Sequence, residues 1–352
     1  MEHNFLTLDW LAFTYHIENS FDHGNPLEQF LLAFPFINRE DFVPVKMRSH
    51  YSANILWCDI VISYNELTSD IEPEKIPHLV QMGVNVQIPS HCLSFWFNKC
   101  GVSTDNPDHV ALMFSYLKER NCKFSRIDLC FDDYRKIVTT GYYRKKWVDG
   151  CIQSPFINSV TCMGSETKGY TMYFGSLKKR TKLLRIYDKF LESKGEKDCV
   201  RYEFELHAEQ ANGIANLVLN EYSDGIPFAP FLLSWICIKD EISAHNCARI
   251  QDAKDDMEWI VALTLNLTLK YKIKIPVESN KSELTHFVEH QAISSIAGFV
   301  MLYGKDAFDM LVKDAIKRGN ISPRYLSFIN KLKRSNEFED CYSNPFDDPQ
   351  LF

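Results

Sequence analysis

The chain has 352 residues, 45% of them hydrophobic and 24% charged, an ordinary globular composition with apolar side chains for one large or two average domains. This excludes a disordered chain, a collagen-like repeat and a disulfide-stapled miniprotein. Thirty-nine Lys and Arg against forty-six Asp and Glu give −7, so the simplest mark of a nucleic-acid binder, a chain basic overall, is missing, while a local basic patch stays open.

The first residues, MEHNFLTLDWLAF, carry an acid where a secretory signal has bases. The longest nearly uncharged run, residues 226–238 (IPFAPFLLSWICI), is 13 residues with two prolines, short of the ~20 needed to span a bilayer. A cytoplasmic protein is expected. The eleven cysteines are scattered with no C-x-x-C pair, so they read as small buried apolar residues rather than as a zinc ribbon or redox motif.

In chain order, strand-like runs cover residues 8–15 (LDWLAFTY), 54–64 (NILWCDIVISY), 84–88, 93–97, 125–131 (SRIDLCF), 170–174, 183–187 and 200–206 (VRYEFEL). Several alternate with period two, as half-buried antiparallel strands do. Helical patterns fall at 107–120, with Asn106 as cap and Pro107 at the first position, and at 207–221. The expected class is α+β. Longer helical periodicity then takes over at 252–269, 281–302, 305–318 and 322–334, and residues 336–352 (NEFEDCYSNPFDDPQLF) hold five acids and no base. The expected organisation is an α+β domain over 1–235, a helical domain over 236–335 and a disordered acidic tail over 336–352.

Residues 121–210 hold seventeen Lys and Arg against twelve Asp and Glu, a local +5 that leaves −12 for the remainder. The surplus peaks at Lys178, Lys179, Arg180, Lys182, Arg185 and Lys189, and Arg144, Lys145 and Lys146 adjoin Tyr142, Tyr143 and Trp147. Bases interleaved with aromatic rings suit a groove for a single nucleic-acid strand, whereas charge runs alone also describe a solvated face.

Three strand runs place ionisable residues on alternate positions, hence on one face. These are Arg126, Asp128 and Asp132; Arg185, Tyr187 and Lys189; and Arg201, Glu203 and Glu205. If the strands are neighbours, four carboxylates, three arginines, a lysine and a tyrosine converge. Clustered carboxylates suit a hard cation such as Mg²⁺ or Mn²⁺, and a tyrosine beside a bound phosphodiester can attack phosphorus. A solvent-facing sheet with cross-strand ion pairs is the alternative.

The ordered set RIDLCFDD, TMYFGSLKKRTKLLRIYDKFLE and VRYEFEL, supported by LDWLAFTY, MGVNVQIPSHCLSF and HFVEHQAISSIAGFVMLYGKDAFDMLV, resembles the replication initiation factor (Rep_trans) family over most of residues 8–320. That family comprises rolling-circle initiators of plasmids and filamentous phages and related relaxases. The resemblance implies a metal-dependent nickase that cuts one strand at an origin and stays joined to the 5′ end through tyrosine. By position, Tyr187 is the nucleophile. Asp128, Asp132, Glu203 and Glu205 hold Mg²⁺ or Mn²⁺ or act as acid and base, and Arg126, Arg185, Lys189 and Arg201 contact phosphate. The 178–182 and 144–146 bases would line the DNA groove. Origin DNA, supercoiled or single-stranded, is the implied partner. Host helicase or polymerase would dock on the tail, and a homodimer stays open. Two departures stand out: residues 88–92 (IPSHC) lack a glycine-rich turn, and residues 177–181 (LKKRT) are unusually basic.

Other readings remain at this point. Tyr173 or Tyr202 could replace Tyr187, and Asp133 could replace Asp132 across a bulge. Gly175 either admits a phosphate or ends a strand. His286, Glu289 and His290 spell an inverted zinc-protease motif, H-x-x-E-H, and a non-catalytic DNA-binding regulator could use the same scaffold.

Overall fold

The computed structural model describes residues 5–17, 25–47, 50–156, 159–165, 169–178, 181–193, 195–264, 273, 275 and 293–318. The H-x-x-E-H motif, the 322–334 helical pattern and the acidic tail lie outside them. The class is α+β, with a large antiparallel sheet and helices that continue into the C-terminal part.

The strands are β1 (Thr7–Tyr15), β2 (Val43–Pro44), β3 (Ala53–Trp57), β4 (Ile60–Tyr64), β5 (Val84–Pro89), β6 (Cys122–Asp133), β7 (Ile152–Gln153), β8 (Val160–Ser165), β9 (Gly169–Phe174), β10 (Lys182–Asp188), β11 (Val200–His207) and β12 (Cys237–Ile238). Among the described residues ten of them form one sheet in the order β2-β3-β4-β5-β1-β6-β11-β10-β9-β8. β11 thus slots between β6 and β10, so the three motif-bearing strands are neighbours through the last of them.

One face is apolar. Val84, Val86, Ile88, Leu11, Phe13, Ile127, Leu129, Tyr202, Phe204, Leu184, Ile186, Met172 and Phe174 form it and join a single core. Helices Pro26–Ala33, Ser90–Lys99, His109–Lys118 and Glu209–Asn220 cover it, their own apolar stripes turned inward as amphipathic helices require. No helix here is long and apolar enough to cross a membrane among the described residues.

Several local expectations are corrected. Residues 54–64 are a hairpin rather than one strand: Cys58 and Asp59 take φ of 50° and 66°, the left-handed pair that a two-residue turn needs. Residues 93–97 are helical, because Cys92, Leu93, Trp96 and Phe97 bury one helix face. The 107–120 helix starts at His109, and its N-cap, Asp108, makes no side-chain cap bond; Asn106 does not cap it. His207 ends β11, and the next helix begins at Glu209.

The chain divides into two units, Met1–Pro276 and Val277–Phe352. Cys237, Ile238 and Trp259 lie in the first unit: β12 pairs with β7, and buried Trp259 donates its indole N–H to Tyr143 Oη at 3.2 Å. In the second unit helices Ile293–Tyr303 and Lys305–Lys317 meet at Gly304, whose φ is +86°. Phe299 packs on Tyr303 there, with ring centroids 4.9 Å apart.

Candidate active site

The other face of the sheet carries the polar residues in rows fixed by strand register. One row runs Gln87, Ala12, Arg126, His207 across β5, β1, β6 and β11. The next runs Pro89, Trp10, Asp128, Glu205. Beyond it Glu203 faces Arg185 and Arg185 faces Tyr173, and in the row after that Asp132, Arg201, Tyr187 and Thr171 line up. The sequence-predicted residues Arg126, Asp128, Asp132, Arg185, Tyr187, Arg201, Glu203 and Glu205 are thus brought onto one surface.

Tyr187 is 8% exposed and donates from Oη to Glu203 Oε2 at 2.9 Å. Arg185 donates to the other oxygen of the same carboxylate. Burial, and then the nearby Glu192 carboxylate, push the Tyr187 phenol well above its usual range. Lys189 begins the short helix Lys189–Glu192, bonds Glu192 Oε2 at 2.5 Å and places Nζ 5.6 Å from the Tyr187 ring centroid. Burial opposes ionisation of Glu192, but its bond to Lys189 prevails and keeps that carboxyl below the usual range.

Asp128 and Glu205 are each 1% exposed and stand directly opposite one another. Arg126 serves both, donating Nε to Asp128 at 2.8 Å and Nη2 to Glu205 at 3.3 Å, while His207 Nε2 lies 2.8 Å from Glu205 Oε1. Burial raises the Asp128 carboxyl above its ordinary value, with Arg126 pulling the other way and Glu205 adding to the rise.

Arg201, 4% exposed, holds Asp132 with two bonds of 2.6 and 2.7 Å and Asp9 with a third of 2.9 Å. Burial works against the Asp132 charge, yet the Arg201 bonds prevail and keep its carboxyl below the usual range. Asp9 reaches this far because the register of β1 slips between Leu8 and Trp10, a bulge that re-aims the intervening side chain. Ser90 Oγ donates to the same Asp9 oxygen at 3.0 Å, so the segment IPSHC joins the site through a serine at a helix start.

Five carboxylates meet three guanidiniums on this face, in three salt-linked groups. The four predicted metal ligands therefore do not gather at one point, and among the described residues no group of three or more His, Cys, Asp or Glu side chains is spaced for a metal ion. The donor set nearest to one is Asp128, Glu205 and His207, two oxygens and an imidazole with a single arginine between the acids.

The other candidates take distinct positions. Tyr202 is fully buried on the apolar face and bonded to Tyr143 at 3.2 Å. Asp133 also points to that side and accepts from the backbone of Arg135 and Ile137. Tyr173 does share the polar face, opposite Arg185. Gly175 has φ of +129°, and a Cβ there would sit 2.7 Å from the Lys182 carbonyl oxygen. Close strand approach in the β9–β10 hairpin is reason enough for that glycine.

The predicted groove bases fall in different places. Lys182 projects from β10 on the side opposite Tyr187, 4.9 Å from the Phe156 ring and 5.7 Å from the Trp235 ring. Lys146 is buried and paired with Glu241 and Asp256, and Lys145 bonds Asp149 and Glu241, because their helix, Thr140–Val148, packs on the apolar side through Tyr143. Arg144 stacks on Tyr170 at 4.8 Å. Lys178 is exposed in the β9–β10 loop, and Lys179 and Arg180 lie outside the described residues.

Sequence reasoning missed Asp9, Trp10 and His207. His207 was legible as the next alternate position after Glu205; Asp9 was not, since a bulge has no sequence mark here.

No curated protein matches the chain. A solved structure of a rolling circle replication initiator protein from Geobacillus stearothermophilus matches with a TM-score of 0.55 at 17% identity, covering 77% of this chain and 99% of that one. A family model described as replication initiation factor matches residues 122–316, which takes in β6, β10 and β11. The chain belongs to the replication initiation factor (Rep_trans) family.

Proposed function

We propose that the protein initiates rolling-circle replication by nicking one strand of an origin and holding its 5′ end on Tyr187. The observation that carries this is the Tyr187 to Glu203 hydrogen bond with Arg185 on the other carboxylate oxygen. A phenol held above its usual range by burial needs a base at the moment of attack, and Glu203 is in contact with its proton.

In the proposed step the Tyr187 oxygen attacks phosphorus while its proton passes to Glu203 Oε2. The bond from phosphorus to the 3′ oxygen breaks, and that oxygen takes a proton to become the 3′-OH from which a polymerase extends. Arg185, partly exposed beside the phenol, would hold a non-bridging phosphate oxygen. Arg201, saturated by two acids, positions β11 and the row containing Tyr187 rather than binding phosphate. Asp128, Glu205 and His207, two carboxylates and an imidazole, are the side chains that would hold Mg²⁺ or Mn²⁺, and such an ion would supply charge stabilisation at the phosphodiester.

The test is a supercoiled plasmid carrying the cognate origin, incubated with protein and Mn²⁺. A nicked product with protein on the 5′ end is expected, and no adduct with Tyr187→Phe. An adduct that persists in Tyr187→Phe overturns the assignment, and DNA binding without any adduct would favour a regulator.

A further inference from the structure

On the helix-covered side of the sheet, the first residues of β1, the loop before the His109–Lys118 helix, β6 and the end of the Glu209–Asn220 helix bound a cavity of about 750 Å³. That volume falls within the ~300–1,000 Å³ usual for a small-molecule pocket. Its walls are largely apolar: Leu6, Leu129 and Val218 are buried there, and Phe5 and Tyr222 add rings. Its charge has one sign. Asp105 and Asp224 stand on the wall, both exposed, and no Lys or Arg does. Asp224 accepts from the neighbouring Ser223 hydroxyl at 3.4 Å, a neutral donor, and among the described residues no cation pairs with either acid. Asp108, between the wall residues Pro107 and His109, keeps Oδ1 buried with no hydrogen-bond partner among the described residues. The five acids of the Tyr187 face, by contrast, each meet an arginine.

We propose that this cavity binds a small organic cation, an ammonium group on an aromatic or apolar body. The body would rest against Leu6, Leu129 and Val218, where its burial is favourable. The ammonium would face Asp105, Asp224 and the Tyr222 ring, since a carboxylate and an aromatic face both attract positive charge. An anion meets two acids with no base to balance them, and a neutral ligand leaves both carboxylates unused. His109, the wall residue that can become cationic, gives its Nδ1–H to the Asn106 carbonyl at 2.6 Å. A recess walled by several chain segments suits a compact ligand better than the flat surface of a partner protein. The site is separate from the nucleophile and does not rest on the nicking reading. The two are joined through β1, where Thr7 on the cavity wall lies two residues before the Asp9 that Arg201 holds.

The experiment titrates the full chain, free of DNA, with tryptamine, tryptophol and indole-3-propionate, a cation, a neutral molecule and an anion on one indole body, and follows binding by ligand-observed NMR. Tryptamine is expected to bind saturably and roughly threefold or more tighter than tryptophol, the effect of one or two partly exposed charge contacts. Indole-3-propionate is expected to bind most weakly. Asp105→Asn combined with Asp224→Asn, two exposed changes, is expected to bring the three ligands within about twofold of one another. Val218→Trp, which fills the cavity, is expected to remove binding of all three, and if that protein does not fold the double acid variant carries the test. Tyr187→Phe is expected to bind tryptamine as the wild type does, whether or not the wild type forms an adduct with DNA. No saturable binding of tryptamine, a charge ranking that survives the double acid variant, or unchanged binding by folded Val218→Trp overturns the proposal.

Discussion

Tyr187 and Glu203 stand diagonally on neighbouring antiparallel strands, and the phenol donates to the carboxylate at 2.9 Å. The expectation from this pair concerns pH. With Glu203→Gln the base is gone, so adduct formation at neutral pH should fall by roughly 10²- to 10⁴-fold, the usual worth of general-base assistance. Because burial holds the phenol protonated, the residual rate should climb as pH rises, while the wild type gains less over the same range. Single-turnover adduct formation followed from neutral to alkaline pH measures both slopes. Matching profiles for the two proteins would remove Glu203 from the proton path.

Arg201 is the keystone of the second group, and its loss would be read in stability. Arg201→Met strands Asp132 and Asp9 in a buried setting, a change expected to cost about 3–5 kcal/mol. The pH dependence has a definite sign. The folded carboxyl of Asp132 lies below its unfolded value, so its stabilisation is present above the ordinary carboxylate range and lost as pH falls through the folded value. The gap between wild type and Arg201→Met should therefore narrow in acid. Urea unfolding at neutral pH and near pH 4 measures it, and a gap that widens in acid contradicts the pairing.

Asp128 has the opposite sign. Its folded carboxyl lies above the unfolded value because burial dominates, so it favours folding below the ordinary range and counts against it as pH rises through the folded value. In metal-free buffer at neutral pH, Asp128→Asn is expected to raise Tm. Mn²⁺ at about 100 times its dissociation constant is expected to stabilise the wild type by about 2.7 kcal/mol, and to leave Asp128→Asn and Glu205→Gln nearly unmoved. Thermal melts with and without Mn²⁺ distinguish this from a structural role; equal Mn²⁺ shifts in all three proteins would exclude Asp128 and Glu205 as ligands. A residue that weakens the fold and strengthens the site is the usual trade at functional positions.

Period-two alternation made the site face legible: once β6, β10 and β11 were read as strands, parity alone put Arg126, Asp128, Asp132, Arg185, Tyr187, Arg201, Glu203 and Glu205 together. What parity could not give was pairing. Which acid each arginine serves depends on β11 lying between β6 and β10, and Asp9 enters only through a bulge in β1. The charge run misled for the same reason: a local +5 says nothing of which face each base takes. Lys182 falls on even parity beside Trp235, and Lys146 is neutralised by acids about a hundred residues away. The residue run 54–64 looked continuous because its turn uses Cys58 and Asp59 rather than glycine.

Those placements can be separated in solution by salt. A base that neutralises a phosphate of a single strand contributes about 0.7 to the slope of log affinity against log salt. Lys178→Ala, on an exposed loop of the β9–β10 hairpin, should reduce the slope by that amount. Lys145→Ala should leave it unchanged, since Lys145 already bonds Asp149 and Glu241. Lys146→Met should lower stability, because it removes a buried ammonium that pairs with Glu241 and Asp256, again with no change in slope. Titrating a labelled single strand at four or five salt concentrations gives each slope. If Lys145→Ala lowers it as much as Lys178→Ala does, DNA runs over the helix side of the sheet as well, and the open polar face is not the whole of the binding surface.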